Sequence, residues 1–159
     1  MKNRNNFEKN ILSYTLRQYT DNDYNFVYEV KKNAYKKYVE QCWGEWNEQD
    51  QQKYFDHFIN QVKDNAFIIQ CANQDIGFYN GEISESKNYE IGNICIIPEY
   101  QRKGIGSRIL NDIIKKYSDT DIEIQFFKQN PVGKLYEKLG FQKTGETQFH
   151  YQMRKHKKM

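Results

Sequence analysis

The stretch that most constrains this chain runs from Ile94 to Leu110, ICIIPEYQRKGIGSRIL, where a basic turn with two glycines joins an apolar segment to an amphipathic one. After the turn, apolar residues recur at helical spacing: Ile105, Ile109, Leu110, Ile113, Ile114 and Tyr117. The pattern predicts a strand, a turn and a helix. The first amides of such a helix lack intrahelical acceptors, and the helix dipole adds positive charge there. We therefore expect the turn to bind an anion such as a phosphate.

The composition predicts one folded domain over residues 1–159, with frayed ends at 1–9 and 154–159. The 13 tyrosines and 10 phenylalanines can fill an interior, so disorder of the whole chain is not expected. The formal net charge of +3 is too small to indicate nucleic-acid binding, although Arg154, Lys155, Lys157 and Lys158 crowd the last residues. A solvated tail is the simpler interpretation of that cluster.

The cysteines and histidines do not form a pattern that binds metal. Cys42, Cys71 and Cys95 are widely spaced without a C-x-x-C pair, and the three histidines are scattered. No disulfide framework and no metal site is therefore predicted, and a reducing cytoplasm fits the three thiols. No segment has the apolar length of a signal peptide or a membrane span, so no membrane association is expected.

Hydrophobic periodicity predicts alternating strands and helices. The expected strands are 11–18, 67–71, 76–85, 89–97, 122–126 and one or two within 141–153. The expected helices run from a cap at Thr20 or Asp21 to about Tyr38, from Asn47 to before Ala66, from the glycine turn onwards, and from Asn130-Pro131 to Gly140. Residues 40–47 follow no period and carry both tryptophans, which predicts a loop near the ligand.

The order of these elements predicts a mixed sheet. Strands 67–71, 76–85 and 89–97 follow one another through short polar turns, as in an antiparallel meander. A helix separates 89–97 from 122–126, and that connection suits a parallel crossover. The fold class is therefore α+β or mixed α/β.

A lone G-x-G after a strand is weak evidence for any one ligand. Both nucleotide fingerprints are missing, because no G-x-x-x-x-G-K-S/T and no G-x-G-x-x-G with a later acidic residue occurs here. The longer pattern says more. Gln101-Arg102-Lys103-Gly104-Ile105-Gly106 follows an apolar strand, and Asn130, Leu135-Tyr136 and Gly140-Phe141 come later.

This ordered combination resembles the GNAT acetyltransferase superfamily, whose phosphate loop reads Q/R-x-x-G-x-G/A and whose later helix commonly reads N-x-x-A-x-x-L-Y-x-x-x-G-F. The resemblance is sharp from about Glu90 to Phe141, with Gly133 where alanine is usual. It implies a twisted, mostly antiparallel central sheet with helices on both faces. That sheet would split between its fourth and fifth strands, where the pantetheine arm of coenzyme A enters.

The resemblance also implies the residues that bind acetyl-CoA. Main-chain groups of Ile94 and Ile96 would contact the pantetheine and polarise the acetyl carbonyl. Asn130 would contact the pantetheine, cap its helix, or do both. The backbone amides that would bind the pyrophosphate, with the charges of Arg102 and Lys103 close by, belong to Gln101, Arg102, Lys103, Gly104, Ile105, Gly106 and Ser107.

The catalytic residues implied by the resemblance are a tyrosine and a glutamate. Tyr136 would protonate the departing thiolate, or else be an ordinary core tyrosine. Glu90 lies fourteen positions before Gly104, a spacing at which some members carry their general base. Glu40 competes for that role, and many members instead pass the proton to water.

The irregular segment predicts an acceptor site. Glu40, Trp43 and Trp46, with Glu45 beside them, would form a wall that attracts a cationic amine. Core packing of the tryptophans is an equally good account.

Together these features predict an acetyl-CoA-dependent N-acetyltransferase that transfers the acetyl group directly to a primary amine, as a cytoplasmic monomer or homodimer. A non-catalytic module that binds acyl-CoA is the alternative, and nucleic-acid binding by the basic tail is a weaker one. The sequence leaves the identity of the amine open.

Overall fold

One mixed sheet of seven strands organises residues 13–158, the part of the chain that this computed structural model describes. The strand order is β1-β2-β3-β4-β5-β7-β6, and every neighbouring pair is antiparallel except β4 and β5. The strands are β1 (Thr15–Gln18), β2 (Ala66–Cys71), β3 (Gln74–Ile83), β4 (Tyr89–Ile96), β5 (Ile122–Phe127), β6 (Gln142–Glu146) and β7 (His150–Lys155). The predicted meander and the parallel crossover are both confirmed.

Four α-helices accompany the sheet in the described residues: α1 (Tyr24–Trp43), α2 (Glu48–Val62), α3 (Ile105–Lys116) and α4 (Gly133–Lys138). The predicted cap of α2 is confirmed, because the Asn47 side chain accepts a hydrogen bond of 3.0 Å from the Asp50 amide. The predicted apolar stripe of α3 is confirmed as well. Its buried residues are Ile105, Ile109, Leu110 and Ile113.

Helix α1 continues one turn further than predicted. The sequence suggested an end near Tyr38 and a loop over 40–47, but the helix extends to Trp43. Aromatic packing explains the extra turn, since Tyr38 stacks on Phe127 at 5.6 Å between ring centroids. Trp43 packs against Phe149 at 4.6 Å. The helix ends at Gly44, whose φ of +92° is a conformation that glycine adopts without strain.

The two faces of the sheet carry separate apolar clusters, which confirms helices on both sides. Helices α1 and α2 bury Val27 and Phe55 against Ile68 and Phe78 on one face. Helices α3 and α4 cover the opposite face, where the cluster includes Ile69, Ile91 and Ile124. The sheet therefore lies between two layers of helices, one packed on each face.

Strands β4 and β5 separate after a short parallel ladder. They pair only at Tyr89↔Ile122, Glu90↔Glu123 and Ile91↔Ile124. On its other side β4 shifts register against β3, where Gly81 faces Ile91 and Asn80 faces Asn93. The extra residue, Gly92, is a β-bulge that bends β4 at the point of separation. The predicted splay between the fourth and fifth strands is therefore confirmed.

The chain ends differ from the sequence prediction. Residues 11 and 12 of the expected first strand lie outside the described residues, as does the expected frayed segment 1–9. At the other end the prediction of fraying is wrong for Arg154 and Lys155, which belong to β7 and pair with Glu123 and Ile122. Within residues 13–158, no helix has the length and apolar character needed to cross a membrane.

Candidate active site

A cavity of about 1170 Å³ occupies the gap between the diverging halves of β4 and β5. Its walls come from α1 and α2 on one side and from the glycine turn, α3 and α4 on the other. Its volume exceeds the few hundred Å³ that hold a small ligand. The opening between the strands therefore leaves room for a long ligand and a second molecule.

The glycine turn forms one end of the cavity. Gly104 is the residue before α3 and has a φ of +82°, and Arg102 takes a φ of +60° in the same turn. The first intrahelical hydrogen bond runs from the Arg108 amide to the Gly104 carbonyl at 3.0 Å. The amides of Ile105, Gly106 and Ser107 precede it and have no intrahelical acceptor. These donors and the helix dipole favour an anion here, and the anion site itself stays a prediction.

A side-chain hydrogen bond holds the turn against β4. Gln101 Nε2 donates to the Ile96 carbonyl at 2.8 Å. Gly106 lies close by, and a Cβ built on it would lie 3.7 Å from Ile96 Cδ1, an ordinary contact. Arg102 and Lys103 are both exposed, and only Arg102 lines the cavity.

The edge of β4 forms the floor of the cavity. Beyond Ile91 this strand pairs only with β3, through Ile94↔Tyr79 and Ile96↔Gly77. Its main-chain groups on the β5 side consequently face the cavity. Ile94 and Ile96 both line it, and the contacts that the resemblance implies for them stay a prediction.

Tyr136 reaches the cavity from α4. Its ring is 9% exposed and packs edge-on against Phe126 at 5.4 Å. Burial raises the pKa of its hydroxyl to about 12, with a smaller contribution from the nearby Cys95 thiol. The hydroxyl forms no hydrogen bond with residues 13–158 and opens into the cavity. A protonated donor is therefore available to a bound ligand.

Asn130 lies in the turn before the short helix beside the cavity. Its Oδ1 accepts a hydrogen bond of 3.1 Å from the Val132 amide. Helix α4 begins only at Gly133, after Val132 and without a capping side chain, so the predicted start at Asn130-Pro131 and the predicted cap are wrong. The residue also lines the cavity. It stands six positions before Tyr136, one fewer than in the motif quoted above, where Gln129 would take the asparagine position.

A hydrogen-bonded chain that the sequence analysis missed crosses from α1 to β3. Cys95 Sγ donates to the Tyr35 hydroxyl at 3.3 Å, which donates to Asn93 Oδ1 at 3.0 Å. Asn93 Nδ2 then donates to Asn80 Oδ1 at 2.8 Å. Tyr35, Asn93 and Cys95 line the cavity. The sequence shows that Asn93 and Cys95 alternate along β4, but it does not show that Tyr35 on α1 is their partner.

Lys31 and His150 are two of the basic residues that line the cavity and that the sequence analysis did not identify. Lys31 projects from α1, and its Nζ lies 3.4 Å from the centroid of the Phe58 ring. His150 begins β7 and packs against Phe127 at 4.4 Å. Burial lowers the pKa of both side chains. For Lys31 the signal was its position between Val27 and Tyr35, four residues from each on a helix.

Several predicted site residues lie elsewhere. Glu90 is exposed in the paired part of β4, facing Glu82 and Glu123, and does not line the cavity. Glu40 is exposed and pairs with Lys36 at 3.8 Å. Trp43 is 56% exposed and does not line the cavity, although its ring packs against Phe127, which does. Of the predicted acceptor wall, only Trp46 reaches the cavity.

The donor set does not suit a metal. Among residues 13–158, no three histidine, cysteine, aspartate or glutamate side chains come together closely enough to hold a metal ion. The cysteines are unpaired thiols: Cys42 is half-buried, and Cys71 and Cys95 are buried. Burial raises the pKa of the Cys95 thiol, which keeps it in its weakly nucleophilic form.

Comparison with known proteins agrees with this geometry. A family model described as an acetyltransferase (GNAT) domain matches residues 63–143, just over half of the 159-residue chain. A curated relative, an uncharacterized N-acetyltransferase of Methanocaldococcus jannaschii, is 24% identical over 147 residues. The match covers 83% of this chain and only 62% of that relative's length.

Two solved structures share the fold. One, a histone acetyltransferase HPA2 and related acetyltransferase from Corynebacterium glutamicum, has a TM-score of 0.72 at 16% identity over 93% of this chain and 98% of that one. The other, the PaiA N-acetyltransferase of Thermoplasma acidophilum in complex with coenzyme A, has a TM-score of 0.66 at 21% identity over 91% and 99%. With the splayed sheet, the glycine turn and the family match in agreement, this chain belongs to the GNAT acetyltransferase domain family.

Proposed function

We propose that this protein transfers an acetyl group from acetyl-CoA directly to a primary amine. The observation that carries the proposal is the joining of three features in one cavity: the α3 amides at one end, the unpaired edge of β4 along the floor, and the Tyr136 hydroxyl beside it. Acetyl-CoA would supply the thioester that carries the acetyl group. A cytoplasmic location, consistent with the unpaired cysteines, is part of the proposal.

The glycine turn would hold the pyrophosphate. The amides of Ile105, Gly106 and Ser107 point from the helix start, and Arg102 adds a full positive charge at the cavity wall. Gly104 keeps the turn in a conformation that residues with a Cβ avoid. The residues present therefore fit an anionic, extended ligand at this end.

The β4 edge would position and polarise the reacting group. In residues 92–96 the main-chain groups that face away from β3 have no ladder partner on β5, so they can donate and accept along an extended arm. The Ile96 carbonyl is the exception, because it accepts from Gln101 Nε2. Amides held rigidly by the β3 ladder and the bulge at Gly92 would stabilise negative charge on a carbonyl oxygen. This matches the role that the resemblance implies for Ile94 and Ile96.

Tyr136 would donate its proton from Oη to the departing sulfur. The hydroxyl stays protonated at neutral pH because burial raises its pKa to about 12. It also has no competing acceptor among the described residues. A positioned general acid typically accelerates a reaction by about 10²–10⁴-fold.

Water, rather than Glu90 or Glu40, would take the proton of the acceptor amine. Neither carboxylate lines the cavity. The cavity is open enough to admit water. His150 lies at the cavity wall and stays mostly neutral near pH 7, because burial lowers its pKa. Direct transfer depends more on positioning the two substrates than on an activated enzyme nucleophile. Cys95 is a poor candidate for such a nucleophile, because its thiol is buried and its pKa is raised.

The experiment that tests the proposal is release of coenzyme A thiol from acetyl-CoA in the presence of a panel of primary amines, with Tyr136→Phe alongside. Acetyl transfer predicts release that depends on the amine and that falls in the variant. Binding of acetyl-CoA without amine-dependent release would contradict it. That outcome would favour the alternative, a module that binds acyl-CoA without catalysis.

A further inference from the structure

The charged lining of the cavity is cationic only. Its charged side chains, within the described residues, are those of Lys31, Lys32, Lys37 and Arg102, and no aspartate or glutamate lines it. Arg102 belongs to the glycine turn at the phosphate end. The three lysines all lie on α1, at the opposite wall. A cavity lined by these positive charges disfavours the binding of a ligand that carries only positive charge.

Two of the three lysines are accounted for by other contacts. Lys32 forms an ion pair with Glu48, which also accepts a hydrogen bond from Tyr28. Lys37 is exposed, with its Nζ 4.9 Å from the centroid of the Tyr38 ring. Lys31 differs from Lys32 because it forms no salt bridge with any carboxylate of residues 13–158. It differs from Lys37 because it is half-buried, with its Nζ over the Phe58 ring at the cavity wall.

Aromatic rings surround the Lys31 ammonium. Its Nζ lies 3.4 Å from the centroid of Phe58 on α2 and 5.9 Å from that of Tyr35 on α1. Burial lowers its pKa to about 8, while the Cys95 thiol across the cavity acts weakly in the opposite direction. Part of the side chain remains accessible from the cavity, so a ligand can reach it. A desolvated ammonium without a counter-ion is stabilised when an anion binds beside it.

We propose that the acceptor is an amine that also carries a carboxylate or phosphate group, and that Lys31 binds that group. This inference rests on the proposed acetyl transfer, because it places the acceptor in the same cavity. It replaces the expected attraction of a cationic amine by Glu40 and Trp43, which lie outside the cavity lining. The Tyr35 and Phe58 rings give the rest of the acceptor an apolar surface.

The test uses pairs of amines that differ only in the anionic group. Phenylalanine is compared with phenethylamine, and phosphoethanolamine with ethanolamine, by thiol release in wild type, Lys31→Met and Lys36→Met. In wild type we expect kcat/KM to be at least tenfold higher for phenylalanine or phosphoethanolamine than for its partner without the anionic group. In Lys31→Met we expect this difference between the two members of the pair to disappear. Lys36 lies on the same helix outside the cavity lining, so its variant should keep the preference. The two pairs distinguish a carboxylate from a phosphate.

A binding measurement makes the test independent of turnover. The N-acetylated products of the same four amines are titrated calorimetrically into the protein saturated with coenzyme A. Tighter binding of an anionic product, lost in Lys31→Met, supports the inference. Equal binding, preference for the neutral products, or binding of none of them overturns it. Thiol release that favours the amines without an anionic group would overturn the inference and leave acetyl transfer standing. Tighter binding of an anionic product without any thiol release would overturn acetyl transfer alone.

Discussion

The Tyr35 hydroxyl donates a hydrogen bond of 3.0 Å to Asn93 Oδ1 and thereby ties helix α1 to strand β4 just beyond the bulge at Gly92. Cys95 donates to the same hydroxyl, and Asn93 donates onward to Asn80. Asn80 is one of the few buried polar residues, and its partner in this chain is Asn93. The chain of bonds therefore fixes the wall of the cavity to the strand that forms its floor.

Replacing Tyr35 by phenylalanine should destabilise the protein by roughly 0.5–1.5 kcal/mol, because it removes the donor to the half-buried Asn93 oxygen. Urea denaturation of wild type and variant measures the difference. Tyr54→Phe is the control, since that tyrosine is 71% exposed and should change stability very little. Equal midpoints for wild type and Tyr35→Phe would show that water replaces the lost donor.

Tyr136→Phe should lower kcat by about 10²-fold while the affinity for coenzyme A stays within a few-fold. The ring would keep its packing on Phe126, and only the proton donor is removed. Tyr151→Phe is a matched control, because Tyr151 packs on the same ring at 5.9 Å without lining the cavity. With the pKa of Tyr136 near 12, no alkaline loss of kcat from its ionisation should appear below about pH 10. An unchanged kcat would remove Tyr136 from the mechanism.

Gly104→Ala should weaken coenzyme A binding at least tenfold, whereas Gly106→Ala should change it less than threefold. Gly104 has a φ of +82°, at which a Cβ costs roughly 1–2 kcal/mol and shifts the turn that aims the α3 amides. Gly106 is helical, and its added Cβ would make only an ordinary contact with Ile96 at 3.7 Å. Calorimetric titration of coenzyme A into both variants makes the comparison. The reverse order of the two losses would contradict the assignment of the turn.

Glu90→Gln should keep near-normal acetyl transfer from pH 6 to 9, since the carboxylate lies outside the cavity lining. Burial, and then repulsion from Glu123 and Glu82, raise the pKa of Glu90. A raised carboxyl pKa means that ionisation opposes folding, so the variant should be slightly more stable at pH 7. This advantage should shrink as the pH falls through the pKa and wild-type Glu90 becomes protonated. A large loss of activity would restore Glu90 as the base.

The fold could be predicted from the sequence largely because its signals are local. The α3 stripe, the Asn47 cap and the β3–β4 meander each depend on residues close together in the chain. The end of α1 could not, because its last turn is held by Phe127 and Phe149, which come from the far end of the sheet. A local sequence pattern cannot predict a contact between residues so far apart in the chain.

The same distinction holds for the candidate site: residues in local motifs could be predicted from the sequence, and the others could not. The residues of the glycine turn and Tyr136 belong to sequence motifs, and all but Lys103 line the cavity. The α1 wall of the cavity has no sequence motif, because it forms where α1 crosses the diverging strands. The resemblance implies Glu90 as a base through its spacing from Gly104, but that spacing does not show that Glu90 lies in the ladder with Glu123, outside the cavity.

Lys31 should make the binding of N-acetylphenylalanine to the coenzyme A complex depend on pH. Only the ammonium form attracts a carboxylate, and burial lowers the pKa of Lys31 to about 8. Affinity should therefore be flat from pH 6 to about 7.5 and then fall, approaching tenfold per pH unit. Tyr35 and Cys95, the titratable groups near it, both have raised pKa values and stay mostly neutral up to pH 9. Lys31→Arg should bind with little dependence on pH over this range, because a guanidinium remains charged. Affinity that rises with pH, or the same slope in Lys31→Arg, would contradict a role for the Lys31 charge.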